Sequence, residues 1–421
     1  MLSPIAHCPS PLACILMRIL FITNLFQPEP NHLKGISFIK ALIAAGHKVH
    51  VLTGFPNYPG GKVYPGYRIR WTQREEVEGV PVTRVAMYPS HNQSSLGRSL
   101  NYLSLGFSML AHLPWRGQKY DICYVYLGPI VLFWPAMWLK RWHGTKIIAD
   151  VQDIWPESVM GSGMLRSRWV FRLIDALTCW CYRSADRFVV LSPGYKTLLV
   201  ERGFEKCDIE VIYNWTEESL GHIDEGMTDK YLEKNKFNIL YAGNIGPLQG
   251  LDTVLDAIKI SATRGSRCKL VLIGAGVEYD RIARRITNEK ISNASIFQRI
   301  SASQVRTLQN KANMLLLHLV KDPLTEVGIP QKVQSYMASG RPIIAAVAGS
   351  AARLIGNAKC GFICEPSNAN NLAEIIIKAE NLPPSTLDEI GARGKLYYQQ
   401  NLSFNKGIEK VNNLISATMK G

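Results

Sequence analysis

From Met17 onward, short apolar runs alternate with glycine-containing turns and stretches of helical period, which predicts strands buried on both faces and separated by helices. Arg18 to Thr23 reads as the first strand. Leu33 to Ala45 carries Ile36, Ile39, Leu42 and Ile43 at helical spacing, with Gly35 at the helix start and Gly46 before the strand Lys48 to Thr53. Val80 to Met87 reads as a strand and Leu96 to Leu113 as a helix. Ile122 to Leu139 is a run of eighteen uncharged, mostly apolar residues, long enough to cross a bilayer. Its β-branched and aromatic first half, the Gly128-Pro129 break and Pro135 favour a buried strand followed by a helix. Lys146 to Ala149, Phe188 to Leu191 and Ile209 to Asn214 read as further strands, with a helix over Met164 to Ala185. A second repeat follows: strands at Phe237 to Ala242, Lys269 to Ile273, Met314 to His318 and Pro342 to Ala346, helices at Leu251 to Ile260 and Ser301 to Asn310.

This alternation predicts an α/β fold of parallel sheets with helices on both faces. At 421 residues the chain exceeds what one core organises, so two tandem doubly wound, Rossmann-like domains facing across a cleft are expected. The expected boundaries are a leader at 1–16, disordered or a mis-assigned start, a first domain at 17–214, a polar linker at 215–236 and a second domain at 237–395. A helical segment at 396–421 is expected to pack back on the first domain.

The formal charge of +15 implies an acidic partner, and the front half is the more basic. No basic block or nucleic-acid-binding motif occurs, so nucleic acid is not the expected partner. The nine cysteines are odd in number and scattered through apolar segments, as expected of reduced thiols used as small hydrophobes. Cys179-x-Cys181 and Cys360-x3-Cys364 lack the second half of a zinc pattern, and no metal site is expected. The helix Met164 to Ala185 mixes arginines with tryptophan, phenylalanine and leucine, and reads either as an ordinary surface helix or as an attachment to anionic lipid.

Candidate chemistry lies at strand ends. In the second repeat three glycine-bearing turns follow strands: Gly243-Asn244-Ile245-Gly246 with Gln249 beyond it, Gly274-Ala275-Gly276, and the stretch Thr325 to Pro342. In that stretch a loop with Glu326 precedes a short helix carrying Gln331, Lys332 and Ser335. Glycines that admit close approach, a helix N-terminus and a lysine together suit a phosphate-bearing ligand. In the first domain, the turn-rich loop Gly54 to Lys62, with Asn57 and Tyr58, is a candidate binding loop. Asp150-Val151-Gln152-Asp153-Ile154-Trp155-Pro156-Glu157 places acids and a tryptophan at the C-terminal end of a parallel strand, where ligands bind in such sheets.

These motifs resemble glycosyltransferase family 4, whose members have the GT-B fold. Gly243-Asn244-Ile245-Gly246 is similar to the family's first glycine motif, Gly274-Ala275-Gly276 to its base-pocket turn, and Ser339-Gly340-Arg341-Pro342 to its terminal Gly-x-Pro. Thr53 to Lys62 and Asp150 to Ser158 resemble the branch of O-antigen and capsule enzymes that includes a proposed N-acetyl-L-fucosamine transferase.

The resemblance implies a retaining transfer from a nucleotide diphosphate sugar, used as substrate with no cofactor, to a lipid-linked, polyprenyl pyrophosphate-borne glycan. The first domain would bind the acceptor and the second the nucleotide sugar. The setting implied is the cytoplasmic side, peripherally attached to the inner face of the plasma membrane, in O-antigen, capsule or exopolysaccharide synthesis. Asp153, Glu326 and Lys332 are the expected catalytic residues, with a helix-capping Asp before Ile154-Trp155-Pro156 as the alternative for Asp153. Gly35, Gly243, Asn244, Gly246, Gln249, Gly274, Gly276, Gln331 and Ser335 are expected on the donor side, and Asn57, Tyr58, Trp155 and Glu157 on the acceptor side.

The chain departs from the family pattern in its second acid, which falls at Ser335, and in its first, which falls at Val327 beside Glu326. The usual Arg and Lys of the first glycine loop correspond to Asn244 and Gln249. No Asp-x-Asp occurs, which speaks against a metal-bound diphosphate. A nucleotide-sugar 2-epimerase of the same architecture and a non-catalytic, membrane-bound scaffold with a degenerate donor site are the competing readings.

Overall fold

The computed structural model describes residues 16–31, 33–90, 95–113, 119–157, 168–217 and 225–420. They fall into two compact units: unit 1 comprises Met1–Val189, Phe204–Glu210 and Ile408–Gly421, and unit 2 comprises Val190–Gly203 and Val211–Gly407.

In unit 1 the strands are β1 (Arg18–Ile22), β2 (Lys48–Gly54), β3 (Thr72–Val77), β4 (Val80–Val85), β5 (Ile122–Leu127), β6 (Lys146–Val151), β7 (Arg187–Val190) and β8 (Ile209–Val211). They form one sheet in the order β3-β4-β2-β1-β5-β6-β7-β8. The strand order reverses between β1 and β5, both parallel to their neighbours, and this opens a crevice at their C-terminal ends. Periodicity missed β3, because Gln73-Arg74-Glu75-Glu76 is charged; it pairs antiparallel with β4 at the sheet edge through a turn in which Glu78 and Gly79 both have positive φ. Ile122 to Leu139 divides as expected into β5 and the helix Phe133–His143. Among the described residues no helix is long and apolar enough to cross a membrane.

Unit 2 holds β9 (Phe237–Asn244), β10 (Cys268–Ala275), β11 (Ala294–Phe297), β12 (Met314–His318), β13 (Ile343–Ala346) and β14 (Gly361–Cys364), all parallel, in the order β11-β10-β9-β12-β13-β14. Successive side chains enter separate cores: Leu240 and Ala242 join one cluster, Ile239 and Tyr241 the other. Here the order reverses between β9 and β12.

The domain boundaries differ from the sequence reading. Val190–Gly203 already belongs to unit 2, where Ser192 caps the helix Pro193–Glu201 and donates its Oγ hydrogen to the Val327 carbonyl at 2.5 Å. Part of the stretch read as linker is packed: Trp215 is buried edge-to-face on Phe404, and Tyr231 and Leu232 join the unit 2 core. Isolated large apolar groups in a polar stretch carry no period, so the sequence pattern hides them. The expected leader, apart from Leu16, lies outside the described residues, as does the start of the helix read from Met164, which is seen over Arg168–Tyr182.

Four buried charged residues hold the loops at the crevice end of the unit 1 sheet. Lys34, in the loop after β1, pairs with Asp150 near the end of β6, and neither side chain touches solvent. Tyr124 on β5 donates to Asp150 at 2.5 Å and Gln152 does so at 2.5 Å. Glu29 accepts from the backbone N–H groups of Asn57 and Tyr58 at 2.7 and 2.8 Å, tying the loop after β2 to the loop after β1. Arg84, buried on β4, donates to the carbonyls of Gly54 and Gln27 and to Glu75. Burial pushes the Lys34 ammonium below its ordinary pKa and the Asp150 carboxylate pulls it back, so the pair is held by mutual compensation.

Removing one member leaves the other charged and unpaired in the core, which is costlier than removing both. Lys34→Met is expected to destabilise unit 1 by about 3–5 kcal/mol, with Lys34→Met/Asp150→Leu recovering most of the loss, as read by denaturant unfolding.

Candidate active site

In unit 1 the crevice is a cavity of about 280 Å³ lined by residues that follow five strands. Asn24 and Leu25 come from the loop after β1, Asn57 and Tyr58 after β2, Met87 after β4, Gly128 and Pro129 after β5, Asp153 and Trp155 after β6. The expected acceptor-side residues Asn57, Tyr58 and Trp155 therefore meet Asp153 in one cavity. Glu157, also expected there, is not among its lining residues. Asn57 is buried and its Nδ2 donates to the Phe55 carbonyl at 3.0 Å.

The two acids of the Asp150 to Glu157 string that precede Trp155 have different jobs. Asp150 points inward to Lys34, whereas Asp153 reaches solvent, makes no hydrogen bond among the described residues, and has its pKa raised by the protein crowded around it. A carboxylate with raised pKa and no partner is a better proton acceptor at neutral pH than an ordinary one.

In unit 2 the glycine turns after β9 and β10 interlock. A Cβ on Gly274 would meet the Gly243 carbonyl at 1.8 Å, and one on Gly276, where φ is +157°, would meet the Ile245 carbonyl at 2.1 Å. The turns can lie this close only because both positions are glycine. Gly243, at φ +148°, faces Lys332, whose Cε stands 2.2 Å from the place a Cβ would take. Lys332, on the helix Gln331–Ser339, thus lies in a slot made by a missing side chain. Its Nζ sits 3.7 Å from the centre of the Tyr241 ring and donates to the Tyr241 hydroxyl, which in turn donates to the Asn244 carbonyl at 2.5 Å. Among the described residues Lys332 has no ion-pair partner, and burial lowers its pKa to about 7.

The rest of the expected donor set is distributed as follows. Asn244 Nδ2 and the Gly246 N–H both donate to Gln249 Oε1, at 3.0 and 3.1 Å, so the two residues standing where the family has cations brace the turn. Gln331 is exposed at the start of the Lys332 helix, whose first turn has no side-chain cap. Ser335 Oγ donates to Gln309 at 3.0 Å. Glu326 lies on a short helix, Pro323–Val327, where the sequence suggested a loop; Asp322 caps that helix by accepting from the Leu324 N–H at 2.9 Å. Gly349 packs against the Glu326 backbone, with its φ at +65°. Gly35 belongs to unit 1, and its missing side chain makes room for the Asn31 carbonyl, while Gln27 accepts from the Ile36 N–H at 3.0 Å.

Sequence reasoning missed Lys34, Glu29, Tyr241 and His318. His318, buried at the end of β12, meets the Gln249 carbonyl through Nδ1 at 2.7 Å, which fixes the Nδ1–H tautomer. Tyr241 and His318 sit inside apolar strands and read there as core; only their polar ends at a glycine turn signal more. Among the described residues no group of three or more histidine, cysteine or acidic side chains is placed to hold a metal ion. Cys360 and Cys364 are free and buried, and burial pushes both thiols up to about 12.

Two family models match this chain in succession: a glycosyl transferase 4-like domain over residues 37–215 and a glycosyl transferases group 1 domain over residues 224–396. The chain belongs to the glycosyltransferases of the GT-B, family 4 type. It is 24% identical over 331 residues to the probable glycosyltransferase WbjE of Pseudomonas aeruginosa, covering 77% of this chain and 81% of the relative. It is 25% identical over 345 residues to the putative colanic acid biosynthesis glycosyl transferase WcaI of Escherichia coli K12, covering 77% and 82%. Among solved structures, Anabaena HepE in complex with UDP-glucose superposes with a TM-score of 0.62 at 16% identity, covering 95% of this glycosyltransferase and 100% of that chain.

The slot at Gly243 is testable in this transferase. Gly243→Ala combines a strained φ with a clash against Lys332, and is expected to lower stability by about 1–3 kcal/mol. It should also push the ammonium out of its slot, so that the Lys332 pKa, followed by NMR of labelled lysine, climbs from about 7 toward the ordinary lysine value.

Proposed function

We propose that this glycosyltransferase moves a sugar, with retention and without a metal, from a nucleotide diphosphate donor to a lipid-linked, polyprenyl pyrophosphate-borne glycan in surface polysaccharide synthesis. The observation that carries the reading is Lys332: a half-buried amine without a carboxylate partner among the described residues, seated at the glycine turns beside the strand-order reversal of unit 2. The UDP-glucose bound by Anabaena HepE and the colanic acid pathway in the name of WcaI support the donor class and the setting. An N-acetylated or deoxy sugar such as N-acetyl-L-fucosamine is the proposed cargo.

Breaking a sugar–phosphate bond builds positive charge at the anomeric carbon and negative charge on the departing diphosphate. Lys332 and the uncapped start of the Lys332 helix meet the negative charge. The incoming phosphate restores the proton that burial strips from Lys332. Glu326 supplies the carboxylate nearest in sequence to the sugar-contacting position. Asp153, in the unit 1 cavity, orients the acceptor hydroxyl and takes its proton as the new bond forms. Asn57, Tyr58 and Trp155 shape the acceptor's surroundings, an aromatic wall being suited to a sugar ring face. The acceptor's lipid places the protein at the cytoplasmic, anionic face of a membrane.

A thermal-shift screen of UDP-, GDP- and dTDP-sugars identifies the donor; failure to bind or turn over any of them sinks the proposal. In free protein the Lys332 pKa is about 7, and a bound diphosphate raises it. Binding therefore takes up a proton above pH 7, and donor affinity is expected to fall as pH rises through 7 to 9. Lys332→Met is expected to weaken donor binding by roughly tenfold to a hundredfold and to flatten this pH profile. Full transfer by a Glu326→Ala/Lys332→Ala protein would point to a scaffold.

Asp153→Asn is expected to cut transfer by about 10²–10⁴ while donor binding is unchanged, measured by product formation and by thermal shift side by side.

A further inference from the structure

Three adjacent helices of unit 1, Ser95–His112, Phe133–His143 and Arg168–Tyr182, form one layer, the middle one packing on both others. Ser95–His112 and Phe133–His143 pack apolar residues against the sheet, as covering helices must. Ser95–His112 is apolar on its other side too: Asn101, Leu105, Gly106 and Met109 face inward, while Leu96, Leu100, Leu103 and Phe107 form an exposed stripe at helical spacing. Arg168–Tyr182 repeats the arrangement with Trp169, Leu173 and Trp180. Trp169 is 78% exposed, Trp142 at the end of the middle helix 66%, and Phe107 60%. Single exposed apolar residues need no explanation, but a strip of tryptophan, phenylalanine and leucine running across three neighbouring helices does.

The charge around the strip is one-sided. Between Glu78 and Asp150 the only acid in the sequence is Asp121, and Asp175 is the only acid on the three helices. Arg141 stacks over Trp142 at 5.3 Å and Arg172 over Trp169 at 5.7 Å, and both arginines are exposed, as is Arg183. Aromatic rings with arginine at their rim match the boundary between acyl chains and anionic headgroups. A protein partner's core contact would bury such tryptophans equally well, but it would not call for the near absence of acids.

We infer that the outer face of this three-helix layer is a docking surface for an anionic lipid bilayer, with the tryptophans, Phe107 and the leucines entering the headgroup region and Arg141, Arg172 and Arg183 meeting lipid phosphate. This deepens the proposed function and rests on it only for the lipid-borne acceptor. The sequence singles out the basic helix read over Met164 to Ala185 alone; the structure adds the stripe on Ser95–His112, which carries no charge pattern that would mark it.

The test is co-sedimentation of the full chain with vesicles of phosphatidylcholine alone or with phosphatidylglycerol added. Wild type is expected to bind the anionic vesicles, with a blue shift of tryptophan fluorescence, and to bind neutral ones far less. Phe107→Ser/Trp169→Ser/Trp180→Ser should lose binding, and Arg141→Glu/Arg172→Glu should weaken it by on the order of fivefold or more per residue changed. Both variants should keep the wild-type melting temperature and nucleotide-sugar binding, which separates this surface from the donor site. Wild type that ignores anionic vesicles, or variants that bind as wild type does, overturns the inference. A dimer abolished by the same substitutions, with no vesicle binding, overturns it in favour of contact with a second copy. Vesicle binding in a chain that takes no nucleotide sugar would overturn the proposed function and leave the surface standing.

Discussion

The crevice of unit 1 depends on a buried ion pair between two residues distant in sequence. Lys34 and Asp150 belong to the segments that follow β1 and end β6, and β5 lies between those strands in the sheet. A loop at the end of a parallel strand is free to wander unless something fixes it, and a fully buried ammonium has one tolerable position: against a carboxylate whose remaining lone pairs are also satisfied. Tyr124 and Gln152 complete that satisfaction. Glu29 and Arg84 extend the same device to the loops after β1 and β2. The cavity walls are thereby set by charges that never touch a ligand, and Asp153 is left as the acid that does face the opening.

Unit 2 solves its positioning problem with glycines. Gly243, Gly274 and Gly276 bring backbone against backbone and leave the slot that Lys332 occupies, so one residue type determines both the closeness of the turns and the placement of the cation. Asn244 and Gln249 then brace the turn with amide hydrogen bonds where arginine and lysine would bring charge. The consequence, among the described residues, is a corner of glycine turns with one amine at its centre, whose positive charge is adjustable rather than fixed.

Much of this was legible in the sequence because parallel strands advertise themselves: continuous apolar runs ending in glycine gave both sheets, and β1, β2, β9 and β12 lie within a residue or two of their expected limits. That Asp153, Asn57, Tyr58 and Trp155 line one cavity was also readable, since each follows a strand end. The sequence could not show that Asp150 is structural and Asp153 open, because that distinction is made by Lys34, more than a hundred residues away. Tyr241 and His318 hid inside apolar runs for the same reason. The charged strand β3 and the helix Pro323–Val327 were missed because their formation is decided by a turn and a cap rather than by hydrophobic period. Trp215 was read as linker because one aromatic residue in a polar stretch makes no pattern.

The two units treat buried charge in opposite ways, and the difference carries functional meaning. In unit 1 every buried charge described above is answered by a counter-charge or by backbone dipoles, so nothing further is needed from outside. In unit 2 the described residues answer Lys332 only with an aromatic face and a phenol, too little to keep an ammonium charged at full strength in a low-dielectric setting, and its pKa falls to about 7. A fold does not gain stability from a half-protonated lysine held over a glycine. Such a group becomes favourable when an anion arrives, and the proposed diphosphate would return on binding the energy withheld from the free protein.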